Sequence, residues 1–358
     1  MKKIESIVSL RFIFILLIFL HHFDGFEIYY IIPTSYSVRS LLNEWGAIGV
    51  SFFFVLSGFV CSYGYRKKFL MKDISSGSFL KRRLSKIYLL YLFSGLLAII
   101  IYKIPIKMAW TTCLPFILMI QSFVPVDNYA FIFNGAAWCI PNLMFCYIIF
   151  SILAKQKAKI FSYSLIGVIF LEMLTMLIMG GGGDGYNISW FFYINPVFRL
   201  SDFLVGMIGY ELYNRLNKGI PLPSKVICME VFSVLFLCGC TYFAIKYNVS
   251  MIYRYSLYYL IPIISLIISF SLEGGCLSKA ISNPVFKWLG EISMEIYLFH
   301  QIILTLLGRL FSNWLINIHR AFVIGTIAFV VTVLLSWIWK KFIQNKCSNI
   351  CDWIFNMM

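Results

Sequence analysis

The stretch RFIFILLIFLHH, residues 11–22, places Arg11 at one end and the pair His21 and His22 at the other, with only apolar residues between. Arginine offers a permanent charge and a fork of donors suited to a phosphate group. A neutral imidazole is a general base that works near physiological pH. On a helix, eleven residues make three turns plus about 20°, so Arg11 and His22 share a face about 16 Å apart along the axis. His21 projects elsewhere. The competing readings are an Arg11 that snorkels to lipid headgroups and a His22 that is simply hydrogen-bonded inside a bundle.

Other polar groups interrupt apolar surroundings. KRRLSKIYLLY brings Arg82, Arg83 and Lys86 to the start of an apolar run, where they hold either a phosphorylated ligand or anionic lipid headgroups. Arg199 and Asp202 are three apart, the spacing of a same-face ion pair, and that pair is structural or part of a site. GEISMEIYLFHQ carries Glu291, Glu295 and His300. Glu295 and His300 lie about 140° apart around a helix, so they do not form one face by themselves. No HExxH or similar spacing is present, so no metal is expected. Ser57 in LSGF lacks the GxSxG frame of a nucleophile elbow. GGGGDG at 180–185 lacks the GK[ST] ending of a phosphate loop and reads as an outer turn.

The elements that must position these groups are membrane helices. Of 358 residues, 61% are hydrophobic and 13% charged, and the mean hydropathy is +0.85. Soluble domains are roughly half apolar and a quarter charged. The net charge of +15 lies in short stretches between apolar runs, which excludes a basic nucleic-acid-binding face. The ten cysteines form no CxxC or Cys/His cluster, and Cys238 and Cys240 point apart on a helix. The N-terminal apolar segment runs on into HHFDGFEIYY without a small-residue cleavage site, so it reads as an uncleaved first span.

Segments long enough to cross a bilayer lie at 7–27, 45–63, 86–103, 137–154, 160–180, 192–214, 226–245, 255–272, 290–311 and 320–340. An eleventh stretch, 108–124, is shorter and contains Pro115 and Gln121. If it stays on one side, 21 of the 30 basic residues share a face with both termini. If it crosses, AKQKAK and every later basic loop are turned outward, against the positive-inside rule. The expectation is therefore an all-α polytopic bundle of about ten transmembrane helices plus one re-entrant or interfacial segment. It forms a single membrane domain over 1–358, with no soluble domain, since the longest inner loop (about 64–85) is too short to bury a core. No internal repeat is visible.

Several of these stretches together resemble the acyltransferase 3 family of membrane carbohydrate O-acyltransferases. Arg11 and His22 match its first-span signature, and GVSFFFVLSGFV (49–60) its second-span pattern. KRRLSKIYLLYL resembles its basic approach to the third span, although the family usually has proline where Tyr88 or Leu89 stands. AWCIPNLMFCY (137–147) resembles a tryptophan-containing variant and departs from the variant with a glutamate, Leu143 occupying that region. PVFRLSDFLVGMIGYEL (196–212) and WLGEISMEIYLFHQ (288–301) resemble the two C-terminal blocks.

The resemblance implies acyl-CoA, most often acetyl-CoA, as donor and a hydroxyl of a cell-surface or lipid-linked carbohydrate as acceptor, hence a role in polysaccharide modification of the cell envelope. It implies His22 as general base and Arg11, Arg82, Arg83 and Lys86 as holders of the CoA phosphates. Trp138, Arg199, Glu295 and His300 would line the site. The expected location is the bacterial inner (plasma) membrane among its lipids, with both termini cytoplasmic. Some relatives carry an extra extracytoplasmic hydrolase-like domain, and none is expected here. The competing class is a transporter or flippase for a lipid-linked saccharide, for which internal repeats and spans broken at the midplane are the usual signs.

Overall fold

The computed structural model describes residues 3–24, 36–126, 129–179, 189–219, 222–255, 257–314, 318–344 and 346. These residues are helical or in turns, without a strand among them. The GGGGDG segment and the continuation of HHFDGFEIYY lie outside them. The long helices are α1 (Glu5–Asp24), α2 (Tyr36–Leu70), α3 (Ser76–Tyr102), α5 (Cys139–Leu153), α6 (Lys159–Met179), α7 (Pro196–Lys218), α8 (Pro223–Lys246), α11 (Ser293–Leu310) and α12 (Ile318–Ile338). Shorter helices are α4 (Ile106–Ile117), α9 (Leu260–Ser271) and α10 (Pro284–Glu291).

Among the described residues nine helical stretches are long and apolar enough to cross a membrane. The tenth expected span, 290–311, is not one of them. It breaks at Ile292 between α10 and α11, and Glu295, His300, Gln301 and Arg309 dilute the apolar content of α11. The second span also runs further than expected: α2 continues through the predicted inner loop as far as Leu70, carrying Arg66. Arg66 is buried because protein acceptors replace water. Its Nε donates to Glu211 at 2.5 Å, Nη1 to the Ala154 carbonyl at 2.9 Å and Nη2 to the Gln156 carbonyl at 3.0 Å.

The 108–124 stretch does not form a spanning helix. Helix α4 has twelve residues, about 18 Å at 1.5 Å per residue and too short for a hydrocarbon core of about 30 Å. Pro115 lies in its last turn, and the chain leaves through Leu118 into a short turn at Gln121–Phe123. Side chains of α3 take up the loose ends. Tyr91 Oη donates to the Phe116 carbonyl at 2.8 Å and Tyr88 Oη to the Ile117 carbonyl at 3.1 Å, while Gln121 Nε2 donates to Tyr91 Oη at 2.8 Å. The Phe116 ring stacks on Tyr91 over Gly95 of α3, where a Cβ would strike that ring.

The chain divides into two compact units, Met1–Phe14 with Ala47–Phe79 and Asn142–Gly290, and Ile15–Gly46 with Leu80–Pro141 and Glu291–Met358. In the first unit α2 and α7 meet backbone to backbone. A Cβ on Gly58 would strike the Phe203 carbonyl, and one on Gly206 the Val55 carbonyl. Small residues at such crossings let apolar helices approach where lipid supplies no hydrophobic drive. Gly206→Val is therefore expected to destabilise the protein by about 3 kcal/mol through overpacking, read as a lower Tm in detergent. The start of α1 is tied into the same unit: Glu273 Oε1 accepts from the Glu5 and Ser6 backbone N–H groups, at 2.5 and 3.4 Å. The second unit has its core at Phe19, Ile303, Leu304 and Ala328, joining α1, α11 and α12.

Candidate functional site

In the second unit α1 and α11 bring two histidines into contact. The His22 and His300 ring centroids are 4.8 Å apart, and His300 Nε2 lies 3.3 Å from His22 Nδ1. His22 is half-buried and His300 fully buried. Each ring also meets a backbone carbonyl of its own helix. His22 Nδ1 donates to the Ile18 carbonyl at 3.0 Å, and His300 Nδ1 donates to the Tyr297 carbonyl at 2.6 Å. A carbonyl oxygen only accepts, so Nδ1 carries the hydrogen in both neutral rings. His300 Nε2 therefore presents a lone pair to the Nδ1–H edge of His22, and His22 keeps its own lone pair on Nε2, the nitrogen that can take a proton. Against the expectation that it projects elsewhere, His21 also touches the pair: its ring meets that of His22 edge to face, with centroids 4.8 Å apart, and lies on Gly46 of α2, where a Cβ would collide with it.

The segment carrying Trp138 is fastened to the helix of His300. Trp138 closes a one-turn helix, Gly135–Trp138, and is buried just ahead of α5. Asn134 is fully buried before that turn. Its Nδ2 donates to the Leu298 carbonyl at 2.8 Å and to Ser94 Oγ at 3.1 Å, and its Oδ1 accepts from the Ala136 N–H. Beside it, Tyr297 Oη donates to Cys139 Sγ at 2.8 Å. Asn134 thus orients both Trp138 and the turn of α11 that holds His300. The sequence signal for it was slight: one asparagine in NGAAW, where loops carry asparagine anyway.

Glu295 and His300 face different partners, as their angular separation on one helix requires. Glu295 Oε1 pairs with Lys340 Nζ at 3.1 Å. In the same unit Arg82 and Lys86 are exposed on α3 and Arg83 is partly exposed. Arg82 and Arg83 lie four and three residues before Lys86, so the three charges share one face of the helix.

Arg11 and Arg199 belong to the first unit. One unbroken helix carries Arg11 and His22, and Arg11 is half-buried. Arg199 sits where a span is interrupted. A π-helical turn, Trp190–Ile194, precedes Pro196, the first residue of α7. Pro196 has no N–H for the Phe192 carbonyl four residues back. The Val197 N–H is captured by Asn195 Oδ1 at 2.9 Å, away from the Tyr193 carbonyl.

Arg199 serves both stranded carbonyls: Nε donates to Tyr193 O at 2.6 Å and Nη2 to Phe192 O at 3.4 Å. Asn142 Nδ2 serves the next carbonyl, that of Ile194, at 2.5 Å. The remaining donors of Arg199 reach Tyr255 O at 2.8 Å, Ser51 Oγ at 2.9 Å and Asp202 Oδ2 at 2.6 Å. A guanidinium has five N–H groups, and each of those in Arg199 has a protein acceptor. Among the described residues no three His, Cys, Asp or Glu side chains converge as metal ligands do.

These features define an integral membrane protein of helical architecture with a paired-histidine centre. A family described as an acyltransferase domain, acyltransferase 3, matches residues 4–339. The chain belongs to that family. It is 33% identical over 121 residues to the acyltransferase MdmB of Streptomyces mycarofaciens, a stretch that covers 32% of this chain and 30% of that protein. No solved structure matches the chain.

Proposed function

We propose that this chain is an acyltransferase that moves an acyl group, most often acetyl, from acyl-CoA to a hydroxyl of a carbohydrate, either free on the cell surface or lipid-linked, in the bacterial inner (plasma) membrane. The observation that carries the reading is the histidine pair. His22 Nε2 removes the proton of the acceptor hydroxyl as its oxygen attacks the thioester carbonyl. The tetrahedral adduct then expels CoA as thiolate, which takes the same proton from the His22 imidazolium and leaves as the free thiol. During this exchange Nδ1 of His22 stays protonated, with the Ile18 carbonyl and His300 Nε2 facing the positive ring. His300 is thus a positioning residue.

Arg11, Arg82, Arg83 and Lys86 hold the CoA phosphates, and Trp138 and Glu295 belong to the lining. Arg199, whose donors are all engaged, keeps the break before α7 in shape. Holding donor and acceptor side by side away from water supplies proximity and strengthens each polar contact.

The test is thiol release from acetyl-CoA by purified protein in detergent, with and without a set of surface glycans. Release that depends on an acceptor is the expected result. Movement of a lipid-linked saccharide without thiol release would overturn the reading in favour of a transporter.

A further inference from the structure

Lys340 follows α12 in a π-helical turn, Trp339–Ile343. Such turns are rare and shift the register of the side chains that follow, which is why they gather at functional sites. The pair it forms with Glu295 is lopsided: the side chain of Glu295 is 2% exposed and that of Lys340 41%. Glu295 offers Lys340 a single oxygen, Oε1. The other, Oε2, is buried without a hydrogen-bond partner, although buried polar atoms rarely go unmatched. Lys340 is therefore tethered at its tip and still open to solvent.

Beyond Glu295, the charge of Lys340 stands among others of its own sign. The charges of Arg83, Lys340 and Arg82 all act on Lys86. Gathering like charges is unfavourable until an anion arrives. The geometry is also braced. The Trp339 ring lies 4.9 Å from Phe93 of α3 and 6.2 Å from Phe299, and Phe299 is one turn beyond Glu295 on α11. These rings lock the turn carrying Lys340 against the two helices that bear the other charges.

We propose that Lys340, held in place by Glu295, is a further phosphate-binding residue, completing with Arg82, Arg83 and Lys86 the site for the phosphates of the acyl donor. This rests on the acyl-CoA reading above. A lipid headgroup offers the same phosphate chemistry, so the experiment separates the two sources.

For the full chain in detergent, kcat/KM is measured with acetyl-CoA and with acetyl-pantetheine, which has the thioester but no phosphate. A charge-assisted hydrogen bond is strong enough that Lys340→Met lowers the ratio of the two values about tenfold, while Lys340→Arg keeps most of it. The ratio is internal to each preparation, so partial loss of folded protein does not move it. An unchanged ratio in an active Lys340→Met overturns the proposal and leaves the cluster to lipid headgroups. A wild-type chain that transfers from neither donor overturns the acyl-CoA reading itself, and this proposal with it.

Discussion

Replacing His22 by alanine is expected to lower acyl transfer about a thousandfold, the middle of the range for general acid–base catalysis. The loss should fall on kcat, because the imidazole is needed while the acceptor proton is in flight and binds neither substrate tightly beforehand. His300→Phe should cost less, about tenfold by the proposed role of placing His22. It removes the lone pair facing Nδ1 of His22, but the Ile18 carbonyl still fixes the His22 tautomer. Purified His22→Ala should keep the elution profile and Tm of the wild type, since a half-buried ring leaves no large cavity. Transfer by His22→Ala at the wild-type rate would remove it as the base.

The largest effect on stability is expected at Arg199. Arg199→Leu leaves the Asp202 carboxylate buried without its cation and strands the Phe192 and Tyr193 carbonyls, which no helical N–H can serve. Removing one partner of a buried ion pair costs about 3–5 kcal/mol, and polar backbone left unsatisfied at membrane depth adds to that. The expected outcome is a variant that inserts but unfolds well below the wild-type Tm in detergent. Asp202→Asn should cost less, because the amide still accepts from Nη1 and the carbonyls keep their donors. Lys at position 199 should not rescue, since a point charge cannot reach five acceptors in one plane. A Tm for Arg199→Leu within about 2 °C of wild type would show that the break before α7 holds by other means.

Much of the helix content was legible because membrane helices announce themselves by length and apolarity. The 108–124 stretch was legible by a subtler route, since only its failure to cross kept the basic loops together. What misled was polarity inside helices. The span expected over 290–311 is two helices, α10 and α11, parted at Ile292, and Glu295, His300, Gln301 and Arg309 lie within α11. Arg66 counted as a loop charge, yet it lies buried in α2 because Glu211 and two carbonyls replace its water.

The sequence by itself determined that this chain is a helical membrane protein, that Arg11 and His22 ride on one face of its first helix, and that Glu295 and His300 point different ways. Those facts need only a helical period and an apolar composition, both local properties. Tertiary structure alone decided that His300 meets His22, that Asn134 pins the Trp138 turn to the same helix, that Lys340 answers Glu295, and that all five donors of Arg199 are engaged. The partners in these contacts lie up to 278 residues apart. No local pattern encodes which apolar helices lie side by side, because that choice rests on shape, on glycines such as Gly58 and Gly206, and on polar groups that find satisfaction only across helices.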